Sequence, residues 1–299
     1  MAKKIISASI TPLMGDGSFD RTGFRNLSER NIRHGLDGLF LFGTMGEWFG
    51  FTDKFREEVL EYASDCIGNR MELLAGVAST SLSRTLDLMN SFKKYKFDSY
   101  VYLLPGRPLG EDPVKSIQTV LDKADRPVYF YYNPALSAGT LSPSQFDRFL
   151  GHPNLKGIKN SSCSMWLRQE LLLLREEKGY GVMFFEGQEW SIDEALFLGL
   201  DGAVCGIGAL GSKMLKRVAL AFDRGDYREV REAQKRLIRL YHGIYGPSVT
   251  DVWTGVKYAM YKLGIISSPF TLAQENDSLS EESKRRIEAC LAEFKEELD

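Results

Sequence analysis

The chain has 299 residues, 43% of them apolar and 26% charged, an ordinary composition for a folded, soluble protein. Its 38 Lys and Arg residues and 40 Asp and Glu residues nearly cancel to a net charge of −2, which leaves no basic footprint for nucleic acid. No apolar run approaches the roughly 18 residues of a membrane span. The start, Met1-Ala2-Lys3-Lys4-Ile5-Ile6, lacks the apolar stretch of a signal peptide. Cys66, Cys163, Cys205 and Cys290 are scattered without a CxxC, so a disulfide scaffold or zinc ribbon is not expected and a cytoplasmic protein is.

In chain order, eight short β-rich apolar runs occur at 5–12, 38–44, 71–78, 99–105, 126–134, 154–162, 181–189 and 202–208. Several are almost continuously apolar, as in Leu39-Phe40-Leu41-Phe42, which suits parallel strands buried on both faces. Each gap between them is long enough for a helix. Phe24-Leu27-Ile32 and Phe55-Val59-Leu60-Ala63 keep apolar residues near helical spacing. Thr52 and Ser142-Pro143 read as helix starts. Alternation of eight strands with helices predicts a (β/α)8 TIM barrel over residues 1–224. An open doubly wound sheet would want a GxGxxG loop after the first strand, and Leu13-Met14-Gly15-Asp16-Gly17 does not supply one. Residues 225–299 carry only helical segments, at about 227–241, 251–263 and 281–298, and predict a C-terminal helical appendage.

Barrel enzymes place their chemistry at the C-terminal ends of the strands. Lys159 stands there without an acidic neighbour in sequence. A desolvated neutral lysine attacks carbonyls to form a Schiff base. The other reading is a lysine that snorkels from the barrel mouth or pairs with Glu189. Lys156, on the opposite strand face by alternation, is expected to be solvated. Tyr131 offers a phenol for proton shuttling, but it lies in the aromatic run 129–132, whose members are more often core or wall. Thr44 supplies a hydroxyl among glycines whose open backbone N–H groups suit a carboxylate. Gly206-Ile207-Gly208 reads as a phosphate cradle or, more simply, a tight turn. His34, His152 and His242 fall in helices or loops away from these strand ends, so no metal centre is expected.

Taken together, Gly43-Thr44-Met45-Gly46-Glu47, Tyr131-Tyr132-Asn133-Pro134 and Gly157-Ile158-Lys159 resemble the GxxGE, YxxP and Schiff-base lysine motifs of the N-acetylneuraminate lyase / dihydrodipicolinate synthase family of class I pyruvate aldolases. Their order and intervals match as well, and the resemblance covers nearly the whole chain. It implies that Lys159 forms an imine with pyruvate or another 2-oxo acid, that Tyr131 transfers protons beside the Thr44 hydroxyl, and that the N–H groups of Thr44 and Met45 bind the carboxylate. It places the Val204 carbonyl near the imine. Ser161, Gly187, Glu189 and Gly206 match positions where the lyase branch meets the hydroxylated part of its substrate. It also implies a homotetramer or homodimer, small-molecule 2-oxo acid and aldehyde substrates, and no cofactor beyond the lysine imine.

The chain departs from that pattern in places. Met45 replaces the usual Thr or Ser. The tyrosine pair that the synthase branch carries after strand four is replaced by Leu103-Leu104-Pro105-Gly106-Arg107-Pro108, with Arg107 a nearby cation. Leu136 stands where that branch has an arginine for a second carboxylate. The paired acids of the lyase branch become Glu189-Trp190, and Trp190 with Trp48 would make the outer pocket smaller or more apolar. The expectation is a lyase or aldolase acting on a 2-keto-3-deoxy sugar acid or related 4-hydroxy-2-oxo acid. The alternatives are a dihydrodipicolinate synthase or keto-deoxy sugar acid dehydratase using the same imine, and, in another class, a non-catalytic 2-oxo acid sensor.

Overall fold

The computed structural model describes residues 2–106, 112–137 and 139–299. Arg107 and Pro108, named above, lie outside these residues. Runs of apolar residues buried on both faces form eight parallel strands: β1 Lys4–Ala8, β2 Gly38–Leu41, β3 Glu72–Gly76, β4 Ser99–Leu103, β5 Val128–Tyr132, β6 Leu155–Asn160, β7 Met183–Glu186 and β8 Gly202–Cys205. They pair in sequence order and β8 closes on β1, giving a barrel. Eight helices alternate with them: α1 Arg21–Arg33, α2 Asp53–Ile67, α3 Leu82–Phe92, α4 Pro113–Lys123, α5 Pro143–Leu150, α6 Met165–Lys178, α7 Ile192–Phe197 and α8 Gly208–Asp223. The two expected starts are real. The Thr52 hydroxyl accepts the Phe55 N–H, and Ser142 forms a reciprocal capping box with Gln145 around Pro143. The TIM-barrel reading of the sequence holds.

Every strand stops short of the C-terminal limit its apolar run suggests. The run 126–134, for example, yields a strand only to Tyr132, and the run 38–44 one only to Leu41. After β2 the cause is local: Phe42 takes a left-handed conformation with φ 58°, which ends extended pairing. The residues beyond the strand ends form loops at the barrel mouth, some buried, as Ile10 and Ile207, and some half-buried, as Thr44 and Asn133.

The barrel interior is lined by Ile6, Ala8, Phe40, Leu74, Val101, Leu103, Tyr129, Tyr131, Phe185 and Val204. Its lower end corrects one expectation. Lys156 does not stand on the outer face, and it is only partly exposed. A register shift opposite Val128 and Tyr129 gives β6 one extra residue there. Lys156 turns to the Glu72 carboxylate, 2.7 Å away, which also accepts the hydroxyls of Tyr129 and Ser99.

The chain continues through α9 Tyr227–Tyr245, α10 Val252–Lys262, α11 Glu281–Glu293 and α12 Lys295–Leu298. The third expected segment is therefore two helices, broken at Phe294. The Arg224-Gly225 turn separates barrel from appendage, but the apolar core runs across it. Ile5 and Ala203 of the strands and Leu215 of α8 share one buried cluster with Leu237, Val256, Ile287 and Phe294. No helix among the described residues is long and apolar enough to cross a membrane.

Candidate active site

Side chains alternate along β6, so Gly157 and Lys159 face into the barrel while Ile158 packs outward. Lys159 is 7% exposed at the upper end. Among the described residues its Nζ has no hydrogen-bonded or ion-paired partner. It sits over the rings of Tyr131, 4.3 Å from the centroid, and Phe40, 5.6 Å away. The pairing with Glu189 that sequence left open does not occur. No carboxylate among these residues ties up its Nζ, and this is the arrangement a nucleophilic amine needs.

Tyr131 enters from the neighbouring strand, registered directly against Lys159. Its phenol oxygen lies 3.4 Å from the Thr44 hydroxyl and accepts a hydrogen bond from the Asn133 side-chain amide at 3.1 Å. Burial alone would push the phenol up. The Lys159 ammonium and hydrogen bonds with Thr44, Asn133 and Ser161 outweigh it, and the phenol is held below the usual tyrosine range. Tyr132, next in sequence, points the other way: it is buried against Phe146, and its hydroxyl accepts the Leu141 N–H.

Thr44 and Met45 lie in a tight turn after β2. The Gly46 and Trp48 N–H groups donate to the Gly43 carbonyl, and the Glu47 N–H to that of Thr44. The Thr11 hydroxyl donates to the Gly46 carbonyl. Neither the Thr44 nor the Met45 N–H meets an acceptor among the described residues. Two adjacent free N–H groups beside a hydroxyl form a small anion-binding concavity. Gly46 is required here, because a Cβ would stand 2.8 Å from the Ser9 carbonyl oxygen.

The other expected positions close the mouth. The Ser161 hydroxyl fills the space where a side chain at Gly187 would begin, and the Lys159 side chain passes beside it, so only glycine fits there. Val204 belongs to the interior wall. Gly206 faces the Met45 side chain, whose Cγ would be 2.6 Å from any Cβ added there. Met45 thus leans across the mouth onto the β8 turn. Glu189 is buried, and its Oε1 accepts the N–H groups of Gly206 and Ile207 at 2.7 and 3.0 Å. That oxygen holds the β8 turn. Trp48 packs against the interior cluster at the mouth. Trp190 does not: it stacks edge-on against Tyr241 and lines a separate cavity of about 220 Å³ with Arg168 and Glu186. Of the two tryptophans, Trp48 alone packs against the interior cluster.

Some residues that hold this site were not singled out from sequence. Asn133 could have been, since it follows β5 two residues after Tyr131. Glu186 ends β7, pairs with Arg168 at 2.8 Å and accepts the N–H groups of Gly187 and Gln188, fixing the Gly187 turn. Burial pushes its carboxyl up, against the pull of Arg168. Trp253 and Lys257 of α10 reach the Thr44 turn from the far end of the chain, with no local signal. His34 bonds to Ser212, His152 to Asp122, and His242 lies in α9, all remote from Lys159. Among the described residues no group of three His, Cys, Asp or Glu side chains could hold a metal ion.

Comparison with known proteins matches the family model described as the dihydrodipicolinate synthetase family across residues 1–293. A 4-hydroxy-tetrahydrodipicolinate synthase 1 of Streptomyces coelicolor is 25% identical over 266 residues, covering 88% of this chain and 85% of that protein. Two solved structures share the fold. YagE of E. coli K12, a prophage protein of the dihydrodipicolinic acid synthase family in complex with pyruvate, aligns with a TM-score of 0.86 and 22% identity over 98% of each chain. CdNal of Clostridium difficile in complex with mannosamine aligns with a TM-score of 0.87 and 20% identity, over 98% of this chain and 99% of its own. The chain belongs to the dihydrodipicolinate synthetase family, and it is an enzyme of that family's aldolase and lyase type.

Proposed function

We propose that the protein cleaves or forms a carbon–carbon bond between pyruvate and an aldehyde, through an imine on Lys159, with a 2-keto-3-deoxy sugar acid or related 4-hydroxy-2-oxo acid as substrate. We infer that it works without a metal or organic cofactor, as a cytoplasmic homotetramer or homodimer. The observation that carries this reading is the Lys159 amine, buried without an acid partner and set against the Tyr131 ring. Support comes also from YagE, whose structure holds pyruvate on the same fold.

In the cleavage direction the substrate carboxylate sits on the Thr44 and Met45 N–H groups. The neutral Lys159 amine attacks C2, and loss of water leaves the imine, which the Tyr131 phenol protonates to an iminium, itself becoming the phenolate. The Tyr131 phenolate removes the proton of the C4 hydroxyl. The C3–C4 bond breaks, its electron pair moves into the iminium, and the aldehyde departs from an enamine. Tyr131 returns the proton to C3, water hydrolyses the resulting iminium to pyruvate, and the proton left on Lys159 passes back to the Tyr131 phenolate. The phenol suits this part because its neighbours favour the anion.

The test is a panel of 4-hydroxy-2-oxo acids, including 2-keto-3-deoxy sugar acids, assayed for pyruvate release. Turnover of at least one supports the reading, and release from none contradicts it. The synthase alternative is favoured by the name of the Streptomyces coelicolor relative. Against it, Leu136 takes the place of the second-carboxylate arginine and is 46% exposed. An aldehyde that carries a carboxylate needs a cation or several donors to enter a partly dry site. Condensation of pyruvate with aspartate semialdehyde should therefore run below about 10⁴ M⁻¹s⁻¹ in kcat/KM. A higher value would restore the synthase reading and point to Arg107, whose replacement by Ala should then remove the activity.

A further inference from the structure

The Thr44 turn is gripped from behind by the C-terminal helices. The Trp253 indole N–H donates to the Thr44 carbonyl at 3.0 Å, so that carbonyl accepts from both Trp253 and the Glu47 N–H. The Trp253 ring also meets Phe49 edge to face, 6.2 Å between centroids. Glu47, which closes the turn, is fully buried in a left-handed conformation with φ 61°. A non-glycine residue persists there only when its surroundings over-determine it. They do. One carboxylate oxygen forms an ion pair with the fully buried Lys257 of α10. The other accepts the Thr271 hydroxyl at 2.7 Å and the Leu272 N–H at 2.6 Å. Lys257 in turn donates to the Phe270 carbonyl at 2.9 Å.

Peptide geometry gives this grip a direction. In a trans peptide the carbonyl of one residue and the N–H of the next point in opposite senses across one rigid plane, and the chain has no cis peptide bond among the described residues. Fixing the Thr44 carbonyl toward Trp253 therefore fixes the Met45 N–H away from Trp253. We propose that Trp253 and the buried Glu47–Lys257 pair are positioning residues that aim the Thr44–Met45 N–H groups at the substrate carboxylate. The C-terminal helices then form part of the 2-oxo acid binding apparatus rather than an appendage to it. This rests on the reading above that those N–H groups bind the carboxylate.

Trp253→Phe tests it, because it keeps the ring against Phe49 and removes the N–H. Two readouts are taken with pyruvate and borohydride: the half-saturating pyruvate for adduct formation on Lys159, and the trapping rate at saturation. Loss of one well-placed hydrogen bond should raise half-saturation roughly tenfold and leave the saturated rate within about threefold. Glu47→Gln should repeat the pattern with a lower Tm. If Trp253→Phe lowers Tm or the saturated rate while half-saturation stays at the wild-type value, the ring serves packing only and the inference fails. If wild-type protein gives no adduct on Lys159, the imine reading itself fails and this inference falls with it.

Discussion

Strand β6 carries two lysines toward the inside of the barrel, and their surroundings differ in kind. At the lower end Lys156 meets the Glu72 carboxylate at 2.7 Å, within a set that includes the hydroxyls of Tyr129 and Ser99. At the upper end Lys159 meets no acid among the described residues, only the faces of Tyr131 and Phe40 and a phenol whose anion it favours. The first arrangement satisfies a charge and closes the floor of the barrel. The second leaves a nucleophile available beside a proton carrier. Carboxylates are not scarce near the mouth: Glu47, Glu186 and Glu189 are all buried there. Each is engaged by backbone N–H groups or by another cation, Lys257 for Glu47 and Arg168 for Glu186. The acids hold the loops, and Lys159 is left without one.

Substitutions at the two ends should separate chemistry from stability. The largest effect belongs to Lys159→Ala, which should lower kcat by roughly 10⁴–10⁶-fold, the usual worth of a covalent nucleophile, with little change in Tm. A loss of less than about 10²-fold would make Lys159 an auxiliary group. Next is Tyr131→Phe, expected to cost roughly 10²–10⁴-fold in kcat while a slow adduct with pyruvate remains detectable. Tyr132→Phe serves as its control, since that hydroxyl faces the Leu141 N–H outside the barrel. Near-normal turnover by Tyr131→Phe would reduce Tyr131 to a wall residue. Smallest is Lys156→Met, which should leave kcat within a few-fold but strand the Glu72 carboxylate. Its cost, for a pair that is only partly buried, is about 1–3 kcal/mol of stability measured by denaturant unfolding, and Glu72→Gln in the same chain should recover much of it. A collapse of kcat in Lys156→Met at unchanged stability would erase the distinction between the two lysines.

The barrel was legible because each strand is short, apolar on both faces and separated from the next by a helix. Lys159, Tyr131 and Thr44 were legible because each sits in a local pattern at the end of such a strand, and the fold brings all three together. Lys156 was misread because alternation along a strand presumes no bulge, and the extra residue in β6 leaves no mark in composition. The strands read too long because turn residues just past them were counted in: after β2, Phe42 carries the apolar run onward, and only its left-handed backbone, which composition does not show, ends the strand. Trp253 and Lys257 were out of reach because their contacts join the two ends of the chain. Trp190 is exposed on sequence grounds alone to either reading, and the packing of α9 through Tyr241 decides which way it turns.

The central claim is that one lysine, Lys159, carries the imine. Incubation with pyruvate and borohydride, followed by peptide mapping, tests it most directly. The account predicts a single adduct on Lys159, lost in Lys159→Ala and retained in Lys156→Met. An adduct on Lys156 or any other lysine, or none at all, would contradict it.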